Sequence, residues 1–292
     1  MNAVVRELPP AIEPDPKASV PQLSATLRLG TQGWSYKDWV GTFYPPGSSA
    51  SGFLSFYSRV FDAVEIDTTF YGPPRPETVR EWDAATPDGF EFTAKMPRII
   101  THDRKLHDAG HDLLEFLEAM YPLGDKLGPI LVQLPPSLDY GERQTLLDFL
   151  ELFPEEFRYS VEFRHPSWIR EETVELLHER RLAWTIVDLH SMPRHVALTT
   201  DFTYLRWLGN RADVQKLDRI QIDRSVELDQ WAVKLETIAR RVQRIYGFMN
   251  NHYAGHSPAS VGDLKARLDL PHIPPASLWP KQPGVQQSFD LG

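Results

Sequence analysis

Cysteine does not occur among the 292 residues. Its absence excludes a disulfide framework, a thiolate-ligated zinc or iron–sulfur centre and a thiol nucleophile. Long apolar runs are missing as well. Nothing approaches the roughly 20 residues that cross a bilayer, and residues 1–10, with Arg6 and Glu7, hold no apolar core of a secretory signal. The expectations are therefore no membrane partner and a cytoplasmic location. Positive charge is not in surplus either. Lys and Arg number 31 against 40 Asp and Glu, a net charge of −9, which counts against a charge-driven nucleic-acid role while leaving room for a local basic groove. G-x-G-x-x-G, P-loop, G-x-S-x-G and kinase patterns are absent too.

What is present suits a globular chain with a sizeable core: 41% of residues are apolar and 24% charged. Pro9, Pro10, Pro14, Pro16 and Pro21, with few apolar partners, mark residues 1–26 as a disordered leader. Pro271, Pro274, Pro275, Pro280 and Pro283 mark 271–292 as a similar Pro-rich tail, in which Trp279 is the one residue able to pin the tail to the body. In residues 27–270, short apolar runs rich in β-branched and aromatic residues fall at 27–33, 63–68, 90–96, 128–134, 159–163, 183–189, 203–207 and 245–250. Helical spacing of apolar residues recurs between them, as at 112–120, 142–152, 171–180 and 227–243. Eight strand–helix units of about 30 residues each predict one (β/α)8 TIM-type barrel. An open doubly wound sheet competes, but Gly30-Thr31-Gln32-Gly33-Trp34 lacks the glycine spacing that usually opens one.

A barrel builds its site where its strands end. Those ends here are Trp34-Ser35-Tyr36, then 65–71 with Glu65, Asp67 and Tyr71, then Lys95 with Thr101 and His102, then Gln133. They continue with Glu162, Arg164 and His165, with Asp188, with Arg206, and with Asn250-Asn251-His252. Side chains alternate along a strand, so Glu65 and Asp67 share a face, as do Glu162 and Arg164. Charged groups at strand ends can be paired for structure alone, yet polar groups ending nearly every strand favour one convergent site, because burying ions is costly. His107 and His111 stand four apart without the Glu of H-E-x-x-H, so they read as surface histidines and no metal ligand set is assigned. Trp34, Tyr36, Trp39, Phe43 and Tyr44 form an aromatic cluster that either packs over the barrel end or offers a stacking platform.

Gly30-Thr31-Gln32-Gly33-Trp34-Ser35-Tyr36, Trp39 and Phe43-Tyr44-Pro45 resemble the opening of the DUF72 family, also called YecE-like proteins. The resemblance continues, in the family's order, through Val64 to Tyr71, Phe92-Thr93-Ala94-Lys95, Ile100-Thr101-His102 and Gln133-Leu134-Pro135-Pro136-Ser137. It closes with Val161 to Trp168, Tyr204-Leu205-Arg206 and Asn250-Asn251-His252-Tyr253, and covers residues 28–269. It implies a TIM-type barrel and brings no settled activity. Two departures stand out. Asp67 replaces the family's common Asn, and Trp207-Leu208-Gly209 lacks the His that often precedes that Gly.

The function expected is an enzyme for a small polar, anionic or carbohydrate-like substrate. Glu65 and Glu162 are its candidate acid and base, His102 a proton shuttle, and Lys95, Arg164 and Arg206 its anion holders. Trp34, Tyr36, Asp67, Tyr71, Gln133, His165, Asp188, Asn250 and Asn251 complete the substrate-binding set. Hydrolysis and isomerisation both fit, no cofactor is required by the sequence, and no oligomeric state is fixed by it. Less favoured is metal-assisted phosphodiester chemistry on nucleic acid, with Glu65, Asp67, Glu162 and Asp188 binding Mg²⁺ or Mn²⁺. A third reading is a non-catalytic ligand-binding protein.

Overall fold

The computed structural model describes residues 23–280; residues 1–22 of the expected leader and 281–292 of the expected tail lie outside them. Eight strands run parallel: β1 Thr26–Thr31, β2 Ala63–Ile66, β3 Glu91–Lys95, β4 Leu127–Gln133, β5 Tyr159–Glu162, β6 Ala183–Asp188, β7 Phe202–Trp207 and β8 Arg244–Met249. From β2 to β8 each strand pairs with its sequence neighbour and β8 pairs with β1, the ring order of a (β/α)8 barrel that a single bridge closes between β1 and β2. The helices α1 Phe53–Tyr57, α2 Pro76–Ala84, α3 Gly110–Met120, α4 Arg143–Leu150, α5 Glu171–Glu179, α6 Ser225–Ala239 and α7 Ser257–Arg267 surround it.

Helical spacing explains the outer layer. In α3 the buried residues include Leu113, Phe116, Leu117 and Met120, one stripe at i, i+3, i+4 and i+7. In α6 the stripe is Leu228, Trp231, Ala232, Leu235 and Ile238. Pro76 and Pro258 sit in the first turns of α2 and α7, where the missing N–H has no helical partner to lose. The eight expected strand–helix units are not all complete. Residues 189–201 join β6 to β7 without a helix, because Pro193 and the β-branched Val196, Thr199 and Thr200 offer no amphipathic stripe.

Inside the barrel, Ala63, Leu131, Ala183, Phe202, Tyr204, Tyr246 and Phe248 form an apolar cluster separate from the larger core between sheet and helices. An ionic knot closes the N-terminal end of the barrel. Glu91 accepts from Arg28 Nε at 3.0 Å, from Arg244 Nη1 at 3.0 Å and from the Tyr246 hydroxyl at 2.6 Å.

Only one bridge, Gln32 to Glu65, joins β1 and β2 by strand pairing. A tyrosine fills the rest of that seam. The Tyr57 hydroxyl accepts from Thr31 N–H at 2.9 Å and donates to the Ala63 carbonyl at 3.1 Å. Gly30 makes room for it, since a Cβ there would lie 2.1 Å from the Ala63 oxygen and 2.9 Å from the hydroxyl.

Both ends of the described chain are tied down. Ala25 is buried and the Ser24 hydroxyl donates to the Ala239 carbonyl. At the other end a single turn, Pro275–Leu278, brings Trp279 to donate its indole N–H to the Phe43 carbonyl at 3.2 Å.

Candidate active site

The C-terminal end of the barrel holds a buried ion network. Arg206 gives Nε and Nη2 to Glu65, at 2.9 and 2.7 Å, and Nη1 to Glu162 at 2.8 Å. Arg164 Nε donates to the other oxygen of Glu162. The Tyr204 hydroxyl donates to Glu65 at 2.8 Å, which leaves the Thr93 hydroxyl to donate to Tyr204 across their 2.7 Å contact. Strand register explains the convergence. Glu65 pairs with Thr93, Thr185 with Tyr204 and Val187 with Arg206, and residues paired in parallel strands point to the same side.

Lys95, two residues beyond Thr93, faces the same interior. Its Nζ stands 3.8 Å above the centre of the Phe70 ring, and it makes no ion pair among the described residues. Burial, reinforced by Arg206, lowers its amine to about 8 despite the nearby Glu162 and Glu65. Asp67 moves the other way. Burial and the negative charge of Glu65 raise its carboxyl, against the pull of Arg206 and Lys95. Burial also disfavours the charge on Glu162, yet Arg164 and Arg206 overcome it and hold the carboxyl at about 2. Glu162 is thereby held ionised between two guanidiniums.

The remaining predicted residues divide by environment. Tyr36 donates to the Gln32 carbonyl at 2.9 Å and lies near Asp67, since a Cβ at Gly33 would meet both, Asp67 Oδ1 at 3.0 Å and the Tyr36 hydroxyl at 3.2 Å. Trp34 is half-buried, edge-on to Trp82 at 5.5 Å. Gln133 is aligned with Glu162 across β4 and β5 and so points inward. His102 bonds Thr101 through Nδ1 at 2.8 Å and meets the Phe70 ring edge-on. Burial, then Lys95 and Arg98, keep its imidazole low at about 4. The imidazole is therefore neutral at pH 7 and serves there as a hydrogen-bond partner.

Five predicted residues serve other ends. His165 accepts from Ser167 N–H and caps the turn after β5. Asn250 caps the turn after β8 while donating to Gln32 Oε1 at 2.9 Å. Asn251 is a buried hub: its Oδ1 accepts from Trp39 Nε1, Ser257 N–H and the Ser257 hydroxyl. Tyr71 is 86% exposed and touches none of the network. Asp188 pairs with Trp207 in the strand register, one residue out of phase with Val187 and Arg206, so it faces the helix layer. There Arg194 grips it with Nε and Nη2 and Trp231 donates to it at 2.7 Å.

Sequence reasoning missed Tyr204 and Phe70. Tyr204 was detectable, since it precedes Arg206 by two and must share its face. The aromatic cluster after β1 is mostly packing: Trp39, Phe43 and Tyr44 are fully buried, with Tyr44 stacked on Phe53 at 4.1 Å. His107 and His111 are exposed.

The four carboxylates proposed for a divalent ion do not form a metal site. The Arg206 guanidinium fills the space between Glu65 and Glu162, and Asp188 is engaged elsewhere. Among the described residues no group of three or more potential ligands is gathered. No helix among them is long and apolar enough to cross a membrane.

A family model described as "Protein of unknown function DUF72" matches residues 28–284. The UPF0759 protein YecE of Escherichia coli (strain K12) is 36% identical over 283 residues, covering 88% of this chain and 98% of that one. YunF of Bacillus subtilis, also a UPF0759 protein, is 25% identical over the same shares. Among solved structures, a DUF72 family protein of Thermotoga maritima superposes with a TM-score of 0.74 at 30% identity, over 84% of this chain and 99% of that one.

Proposed function

We propose, for a chain that belongs to the DUF72 family, that the strand-end cluster around Lys95 and Arg206 is an enzyme site moving a proton on a small polar or anionic substrate. The observation that carries this reading is Lys95: an amine held at about 8, with no carboxylate partner among the described residues, inside a network of fixed charges. A group poised that close to neutrality both accepts and releases a proton during turnover. Asp67, whose carboxyl is raised by burial and Glu65 and drawn down by Arg206 and Lys95, is electrostatically coupled to that amine and sets the field around it.

In this reading Glu65 and Glu162 hold Arg206 in place, and Arg206 with Arg164 supplies the positive field that favours developing negative charge. Trp34 and Tyr36 wall the substrate. Hydrolysis and isomerisation both begin with such a transfer. The resemblance gives Asn at position 67, so Lys95 carries the chemistry and Asp67 tunes it. The test is turnover of a panel of small phosphorylated, carboxylated and neutral metabolites. Lys95→Met is expected to lower kcat by about a hundredfold or more, whereas Asp67→Asn retains activity with a displaced pH profile. Undiminished turnover in Lys95→Met would reject the reading.

A further inference from the structure

The helix-free stretch 189–201 borders a cavity on the same face, outside the Arg206 network. It measures about 810 Å³ and is walled by the chain after β6, β7 and β8, with Asp188, Arg194, Arg211, Arg224 and Tyr253 in its lining. Its donors are incompletely used. Arg194 spends Nε and Nη2 on Asp188, leaving Nη1. Arg224 spends Nε on the Tyr253 carbonyl and Nη1 on Glu227, leaving Nη2. Arg211 is exposed and pairs with no carboxylate among the described residues.

Tyr253 adds an independent sign. The residue is only 2% exposed, and its hydroxyl has no hydrogen-bond partner among the described residues. Tyr253 lines the cavity together with Asp188, Arg194, Arg224 and Glu227. Burial and Asp188 raise its ionisation, so it stays a neutral donor. A buried hydroxyl without a partner is costly, so a ligand oxygen that reaches it is favoured. The acceptors are largely occupied: Asp188 takes three donors and Glu227 takes Arg224, while Asp213 takes Asn210.

We propose that this cavity binds a phosphoryl group. Arg194 from the β6–β7 connection, and Arg211 and Arg224 from the connection between β7 and α6, line one cavity, and donors from more than one guanidinium suit a tetrahedral oxyanion better than a planar carboxylate held by one fork. Loops after the seventh and eighth strands are where barrels commonly hold phosphate. The volume exceeds what the anion fills, so the phosphoryl group is the handle of a larger molecule. This inference concerns binding and stands apart from the role of Lys95.

Calorimetric titration with inorganic phosphate at fixed ionic strength, and with acetate as the planar control, tests it. Arg211→Gln, at an exposed position, is expected to weaken phosphate binding about tenfold or more. Tyr253→Phe removes only an unpartnered oxygen and is expected to weaken it about fivefold with stability unchanged. Lys95→Met is expected to leave the affinity intact. Affinity that is unchanged in Arg211→Gln, or that is lost in Lys95→Met, overturns the proposal, as does acetate binding as tightly as phosphate or phosphate failing to bind.

Discussion

Arg206 and Glu65 meet in a two-pronged pair, Nε on one oxygen at 2.9 Å and Nη2 on the other at 2.7 Å, both residues closed off from solvent. Fork geometry spares Nη1 for Glu162, so one cation answers two buried anions. Replacing Arg206 by Met leaves Glu65 with the Tyr204 hydroxyl and no cation, and Glu162 with Arg164 alone. The expected loss is about 3–5 kcal/mol in urea unfolding at pH 7. A loss below about 1 kcal/mol would mean that water reaches the carboxylates and that the network is not buried in solution.

Acid should unmake the same network from its other side. The folded Glu162 carboxyl, at about 2, lies below its unfolded value of about 4.3, so its contribution is complete above pH 4.3 and disappears as pH falls through 2. The difference in unfolding free energy between the parent and Glu162→Gln should therefore shrink on acidification, by an amount on the order of 3 kcal/mol. Unfolding curves at pH 7, 4 and 2.5 measure it, and a difference independent of pH counts against the pairing.

Lys95 makes a chemical prediction. Amines react with acylating reagents only when neutral, so its labelling rate should rise through about pH 8. Solvated lysines should rise through about pH 10.4. Peptide mapping after brief labelling separates them, and a common midpoint for all lysines would contradict the buried setting of Lys95.

Asn251 was expected to orient substrate, and its contacts make it a structural joint between β1's loop, β8 and α7. Asn251→Ala abandons three donors in a buried place, and about 2–4 kcal/mol of stability should go with them. Ligand-induced stabilisation should persist. A variant with parental melting behaviour and lost ligand response would restore the original role.

Shortening the chain distinguishes the leader from the body. Beginning at Thr26 removes the buried Ala25 and the Ser24 bond to Ala239, while beginning at Leu23 keeps both. The shorter form should melt lower by roughly 2–6 °C, from about 1–2 kcal/mol of lost burial and hydrogen bonding. Equal melting temperatures would place the boundary at Thr26 after all.

The strands were legible because their apolar runs are short and sharply bounded, and because a barrel repeats one unit. Glu65, Lys95, Glu162, Arg164 and Arg206 were legible by position, since a barrel can only collect chemistry where its strands end. Phase was harder. Asp188 ends a strand as Arg206 nearly does, yet it is one residue out of step and belongs to the helix layer. Roles were harder still. Whether Glu162 reacts or holds depends on which cations close on it, and Arg206 is 44 residues away in sequence. Nothing local records that distance.

The β1–β2 seam has a consequence in time. Most neighbouring strands here are zipped along their length, but β1 and β2 touch through one bridge and one phenol. Glu65 is half of that bridge and also the residue that Arg206 grips. When the barrel breathes, that line is the cheapest to part, so hydrogen exchange at Gly33, whose N–H bonds the Glu65 carbonyl, reports on the site as much as on the wall. Rigidity at the reacting end of the molecule thus depends on how well a single tyrosine, Tyr57, keeps a slit closed.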